Sequence, residues 1–121
     1  MDTSTARKVL VVDDEALIAA LLEDMLVELS CDTIGPALTL DQGLALARES
    51  EMDAAILDLS LNGQPVFPIA EVLAERKIPF VFASGYAEID RGGRFGDIEV
   101  VQKPFRLADL AAALDRLTKA A

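Results

Sequence analysis

Histidine and tryptophan are absent from the 121 residues, and there is a single cysteine and a single tyrosine. Each gap closes off a class of chemistry. Without histidine there is no Ser-His-Asp triad, no His-ligated zinc and no phosphohistidine on this chain. A lone Cys31 cannot form an internal disulfide, which predicts a reducing, cytoplasmic setting. Long apolar runs are missing too. The longest, Ala16 to Leu22, falls far short of the roughly 20 residues that cross a bilayer. The start, Met1-Asp2-Thr3-Ser4-Thr5-Ala6, has neither a basic stretch nor an apolar one, so no secretory signal is visible. Positive charge is scarce: 11 Lys and Arg stand against 21 Asp and Glu, a net charge of −10. Such a surface repels phosphodiester backbones and anionic lipid, which argues against direct binding of nucleic acid or membrane. The chemistry left is that of carboxylates, hydroxyls and lysine.

What is present is enough for one packed domain over 1–121, with 52% apolar residues and no output domain expected. Short apolar runs alternate with helical patterns. Lys8-Val9-Leu10-Val11-Val12 ends in Asp13-Asp14, and Ala54-Ala55-Ile56-Leu57 ends in Asp58. Phe80-Val81-Phe82-Ala83 leads into Ser84-Gly85, and Ile98 to Gln102 leads into Lys103-Pro104. Between them, Leu17, Ile18, Leu21, Leu22, Met25, Leu26 and Leu29 form one helical stripe. Thr39-Leu40-Asp41-Gln42 reads as a capping box opening a second helix. A third helix runs through Ile69, Val72 and Leu73, and a last one through Leu107, Leu110, Leu114 and Leu117. Tyr86 to Asp97 is the weakest helix, interrupted by Gly92, Gly93 and Gly96. The repeated β-α alternation predicts an α/β fold, a doubly wound (βα)5 parallel sheet. Pro36 in the second strand, and Glu99 and Gln102 in the fifth, place those two at the edges. The order 2-1-3-4-5, the flavodoxin-like winding, satisfies this with right-handed crossovers.

Ligands of such sheets bind beyond the carboxyl ends of the strands. Asp13, Asp14, Asp58, Ser84 and Lys103 all fall there. Three clustered acids repel one another unless a cation sits among them, and a hard divalent ion, Mg²⁺, answers that need. Singly, each residue has a plainer reading: Asp13 or Asp14 as a helix cap, Ser84 as a turn residue, Lys103 as a solvated lysine. Their coincidence on one rim favours the functional reading.

Val11-Val12-Asp13-Asp14-Glu15, Ile56-Leu57-Asp58-Leu59, Phe82-Ala83-Ser84-Gly85 and Lys103-Pro104-Phe105, in this order and at these intervals, resemble the bacterial response-regulator receiver domain. The stretch Phe82 to Tyr86 is similar to a stand-alone sub-group that usually reads Phe-Ala-Thr-Gly-Tyr, with Ser here for Thr. The resemblance implies that Asp58 accepts a phosphoryl group from a sensor histidine kinase or phosphotransfer protein. It implies Mg²⁺ on Asp13, Asp14, Asp58 and the main-chain carbonyl of Ser60. Lys103 would pair with a phosphoryl oxygen, a cis bond before Pro104 would aim it, and Ser84 would be the switch hydroxyl. The output would be contact with a downstream protein, with no enzymatic activity beyond the chain's own aspartyl phosphorylation and dephosphorylation.

Two features depart from the family pattern, and a third, Tyr86, bears on the phosphoryl lifetime. Val100 stands where many receivers carry an aromatic rotamer switch. Leu61-Asn62-Gly63 replaces a segment that often holds proline, which predicts a looser loop. Tyr86, two residues past the switch hydroxyl, is positioned to screen attacking water. Two other functions remain open at this point. One is an aspartate-nucleophile phosphohydrolase of the haloacid-dehalogenase type, disfavoured because Ser60 stands where a second Asp is needed. The other is an adaptor that has kept the fold and lost the switch.

Overall fold

A computed structural model describes residues 6–85 and 95–119. The elements run β1 (Arg7–Val12), α1 (Ala16–Glu28), β2 (Cys31–Ala37), α2 (Leu40–Glu49), β3 (Ala54–Asp58), β4 (Ser60–Leu61), β5 (Gln64–Pro65), α3 (Phe67–Glu75), β6 (Phe80–Ser84), β7 (Val100–Gln102) and α4 (Leu107–Lys119). Five of the strands form one parallel sheet in the order β2-β1-β3-β6-β7. Counting only those five, this is the expected 2-1-3-4-5. Pro36 and Gln102 do lie on edge strands, where a missing or unpaired N–H is tolerated. The helix expected over Tyr86–Asp97 lies mostly outside the described residues. Phe95 to Asp97 form a turn, and the fifth sheet strand begins only at Val100.

Side chains of a strand alternate between faces, so a sheet covered on both sides needs apolar residues at every position. The three central strands meet that demand. Leu10, Val12, Ala55, Leu57, Phe80 and Phe82 pack with α2 and α3 on one face. Val9, Val11, Ala54, Ile56, Val81 and Ala83 pack with α1 and α4 on the other. The stripe predicted on α1 is only partly buried: Leu22 and Leu26 are enclosed, whereas Leu17 is 86% and Leu21 40% exposed. No helix among the described residues is long and apolar enough to cross a membrane.

The start of α2 follows the predicted chemistry with a shift of one residue. The Gln42 N–H donates to the Thr39 hydroxyl oxygen at 3.1 Å, and Gln42 Oε1 accepts from the Leu38 N–H at 2.9 Å. One turn later, a Cβ built on Gly43 would meet Ile69 Cδ1 at 2.5 Å and both Val12 methyls at 3.4 Å. Glycine here lets α2 lie close to β1 and α3. Gly43→Leu should therefore cost about 1–3 kcal/mol by overpacking, read as a lower urea midpoint. An unchanged midpoint would mean that α2 has room to move outward.

Candidate functional site

Parallel pairing brings the predicted residues to one rim. Val12 faces Leu57 in register, so Asp13 and Asp58 leave adjacent strands side by side. Asp58 faces Ala83, and the Lys103 N–H donates to the Ser84 carbonyl at 2.7 Å, which carries the chain past β7 to the same end. Asp13, Asp14 and Asp58 each offer a carboxylate oxygen, and these oxygens lie within 4.8 Å of one another. Lys103 Nζ reaches into the cluster, 2.9 Å from Asp13 Oδ2 and 3.3 Å from Asp58 Oδ2. Glu15 Oε1 stands 3.7 Å from the same ammonium on the solvent side. Among the described residues, Asp13, Asp58 and Ser84 are the buried polar side chains of the core. The Lys103–Pro104 peptide bond is cis. Ser60 opens β4, two residues after Asp58. Tyr86 lies outside the described residues.

Neither Asp13 nor Asp14 caps α1. The cap position is Glu15, with no side-chain bond to the helix. Asp13 Oδ1 instead accepts from the Glu15 N–H at 2.9 Å, a local turn that leaves Oδ2 directed at the pocket. That Oδ2 is buried and, among the described residues, accepts no hydrogen bond of good geometry; its approach to Lys103 is an ion pair. Carboxylates outnumber the single ammonium among them, so a divalent cation complements the cluster. All donors are hard oxygens, as Mg²⁺ prefers, so the residues present fit that ion.

Burial by itself would lower the Lys103 pKa, but contact with Asp13 and the pull of Asp58 outweigh it and hold the ammonium above its usual 10.5. A raised folded pKa contributes stability that is complete below the unfolded value and is lost as pH rises through the folded one. Lys103→Met should accordingly destabilise the metal-free protein by a few kcal/mol, since it leaves buried carboxylates without a counter-charge. In paired thermal melts in EDTA, the gap between wild type and variant should stay constant from about pH 7 to 9 and shrink only above the ordinary lysine value. A gap that closes already near neutrality would refute this assignment.

The segment after Asp58 is not the loose loop expected from Leu61-Asn62-Gly63. Ser60–Leu61 pairs antiparallel with Gln64–Pro65, and Leu61 faces Gln64 across a two-residue turn. Asn62 (φ 51°) and Gly63 (φ 81°) both adopt positive φ, the mark of a type I′ hairpin turn. The sequence signal was the Asn-Gly pair itself, the strongest short-range sign of such a turn. Leu61 is fully buried beneath the hairpin, and the Asn62 N–H donates to Asp14 Oδ2 at 2.7 Å.

Residues 9–115 match the response regulator receiver domain family. The chain belongs to that family. Among solved structures, SdrG from Sphingomonas melonis Fr1 is 43% identical, with a TM-score of 0.83 over 95% of this chain and 98% of that one. The transcriptional regulatory protein PdtaR of Mycobacterium tuberculosis is 28% identical over 94% of this receiver and 58% of its own length. The phyllosphere-induced regulator PhyR of Methylorubrum extorquens is 29% identical over 92% of this receiver and 43% of its own length. The receiver thus spans about half the length of the curated relatives it matches, and those relatives carry the names of regulators rather than of enzymes.

Proposed function

We propose that this receiver takes a phosphoryl group onto Asp58 from a phosphohistidine on a sensor histidine kinase or phosphotransfer protein, and passes the signal on by contact with a further protein. The observation that carries the reading is the meeting of Asp13, Asp14 and Asp58 within 4.8 Å, with Lys103 Nζ 3.3 Å from Asp58 Oδ2. An Asp58 carboxylate oxygen, which needs no general base, forms the new O–P bond while the P–N bond of the donor breaks. The donor imidazole keeps that electron pair and takes a proton. Lys103 exchanges part of its pairing with the carboxylates for a phosphoryl oxygen. Mg²⁺ would be held by Asp13, Asp14, Asp58 and the Ser60 carbonyl. When bound, it supplies charge neutralisation for the phosphoryl oxygens.

Ser84, buried at the end of β6 beside the strand that ends in Asp58, acts as the switch hydroxyl. Val100 faces Phe82 in register and packs against the same apolar cluster, so readout passes through that packing and not through a rotating aromatic. Tyr86 slows hydrolysis by screening water. A BeF3-activated conformation of SdrG, 43% identical, supports reading this chain as one with an activated state.

The test is incubation with Mg²⁺ and acetyl phosphate, followed by intact mass. One added phosphoryl group, prevented by EDTA, is expected. No gain in mass, or a gain indifferent to EDTA, refutes the reading.

A further inference from the structure

We propose that the Asn62-Gly63 turn is a positioning element for the cation site: the main-chain N–H of Asn62 holds the Asp14 carboxylate in the orientation in which it joins Asp13 and Asp58. This rests on the Mg²⁺ reading above and deepens it.

Positive φ at two successive positions is costly for most residues, tolerable for asparagine and free for glycine. Asn62-Gly63 therefore sets a type I′ turn, whose twist matches that of the short strands it joins. The ladder of a two-residue hairpin does not use the N–H of its first central residue, and that group must find a partner elsewhere. It finds Asp14 Oδ2 at 2.7 Å, the length of a charge-assisted bond.

Each acid of the cluster has its own restraint. Asp13 is held by the Glu15 N–H and by Lys103, and Asp58 by Lys103. Asp14, which is half-buried, is restrained by the hairpin. A main-chain donor on one oxygen restricts rotation of the whole carboxylate. The donor's partial positive charge also lowers the cost of crowding three carboxylates before any ion arrives. The hairpin is joined to Asp58 through Leu59 and anchored by buried Leu61 and by the Val66 N–H on the Leu59 carbonyl at 3.2 Å. A displacement of the turn is therefore felt by two of the three acids.

The role belongs to the backbone, so the Asn62 side chain is dispensable. Asn62→Gly keeps both the N–H and the left-handed conformation and should bind Mg²⁺ within about twofold of wild type by titration calorimetry. Asn62→Pro removes the N–H and forbids positive φ. It should bind about 10- to 100-fold more weakly, while melts in EDTA still show a folded chain. Gly63→Val serves if the proline variant does not fold. A Cβ at Gly63 meets nothing within 4 Å, so that change strains the turn alone and should also weaken binding.

Wild-type affinity in Asn62→Pro or Gly63→Val, with wild type binding normally, overturns this inference and leaves the Mg²⁺ reading standing. Equal loss in Asn62→Gly and Asn62→Pro also overturns it. No Mg²⁺ uptake by wild type overturns the Mg²⁺ reading and this inference together. In the metal-free protein, the Asn62 amide proton should move upfield in Asp14→Ala; a resonance that stays in place overturns the hydrogen bond itself.

Discussion

Asp58→Asn is expected to take up no phosphoryl group, a loss of at least about a thousandfold in the rate of acyl-phosphate formation. The amide has nearly the shape of the carboxylate but offers no anionic oxygen to attack phosphorus. The substitution also removes one of three carboxylates whose oxygens lie within 4.8 Å, at a position only 8% exposed, where carrying charge is costly. Lys103 keeps Asp13 as its partner at 2.9 Å. The variant should therefore melt in EDTA at or above the wild-type temperature while losing the phosphoryl mass gain. A variant that still gains that mass moves the acceptor elsewhere. A variant that melts far below wild type would make Asp58 a structural residue first.

The largest effect on stability is expected from Phe82→Ala, about 3–5 kcal/mol. Four of the five phenylalanines gather on one face of the sheet. Phe82 is fully buried, with its ring centroid 5.9 Å from Phe67, 5.6 Å from Phe80 and 6.2 Å from Phe95. Loss of that ring opens a cavity bounded by three others, and such edge-to-face pairs add to the area term. Against a typical total of about 5–15 kcal/mol, the variant loses a large share of its margin, which a urea titration measures directly. Phe82 is also two residues before Ser84 and in register with Leu57, so it supports two of the strands that end in the pocket. A cost below about 1 kcal/mol would show that the cluster collapses around the gap.

Much of this was readable in one dimension. A parallel sheet covered on both faces leaves a direct trace, because its central strands must be apolar at every position, and Val9 to Val12, Ala54 to Leu57 and Phe80 to Ala83 are. Edge strands leave another, because only they tolerate Pro36 and Gln102. The turn after Asp58 is legible as well, since Asn62-Gly63 is the strongest short-range sign of a two-residue hairpin. The helical stripe on α1 could not report that Leu17 and Leu21 face outward. Periodicity marks an apolar face, and what covers it depends on neighbours distant in sequence.

Local pattern and side-chain alternation within a strand are enough to set the β-α alternation, the edge strands and the placement of acids, hydroxyl and lysine at strand ends. Only the tertiary structure decided that Lys103 inserts between Asp13 and Asp58, that Asp14 is tied to the Asn62 N–H, and that four phenylalanine rings meet beneath β6. Those contacts join residues up to 90 positions apart, Asp13 to Lys103. Their geometry is set by strand register and helix packing, which no local stretch of chain encodes alone.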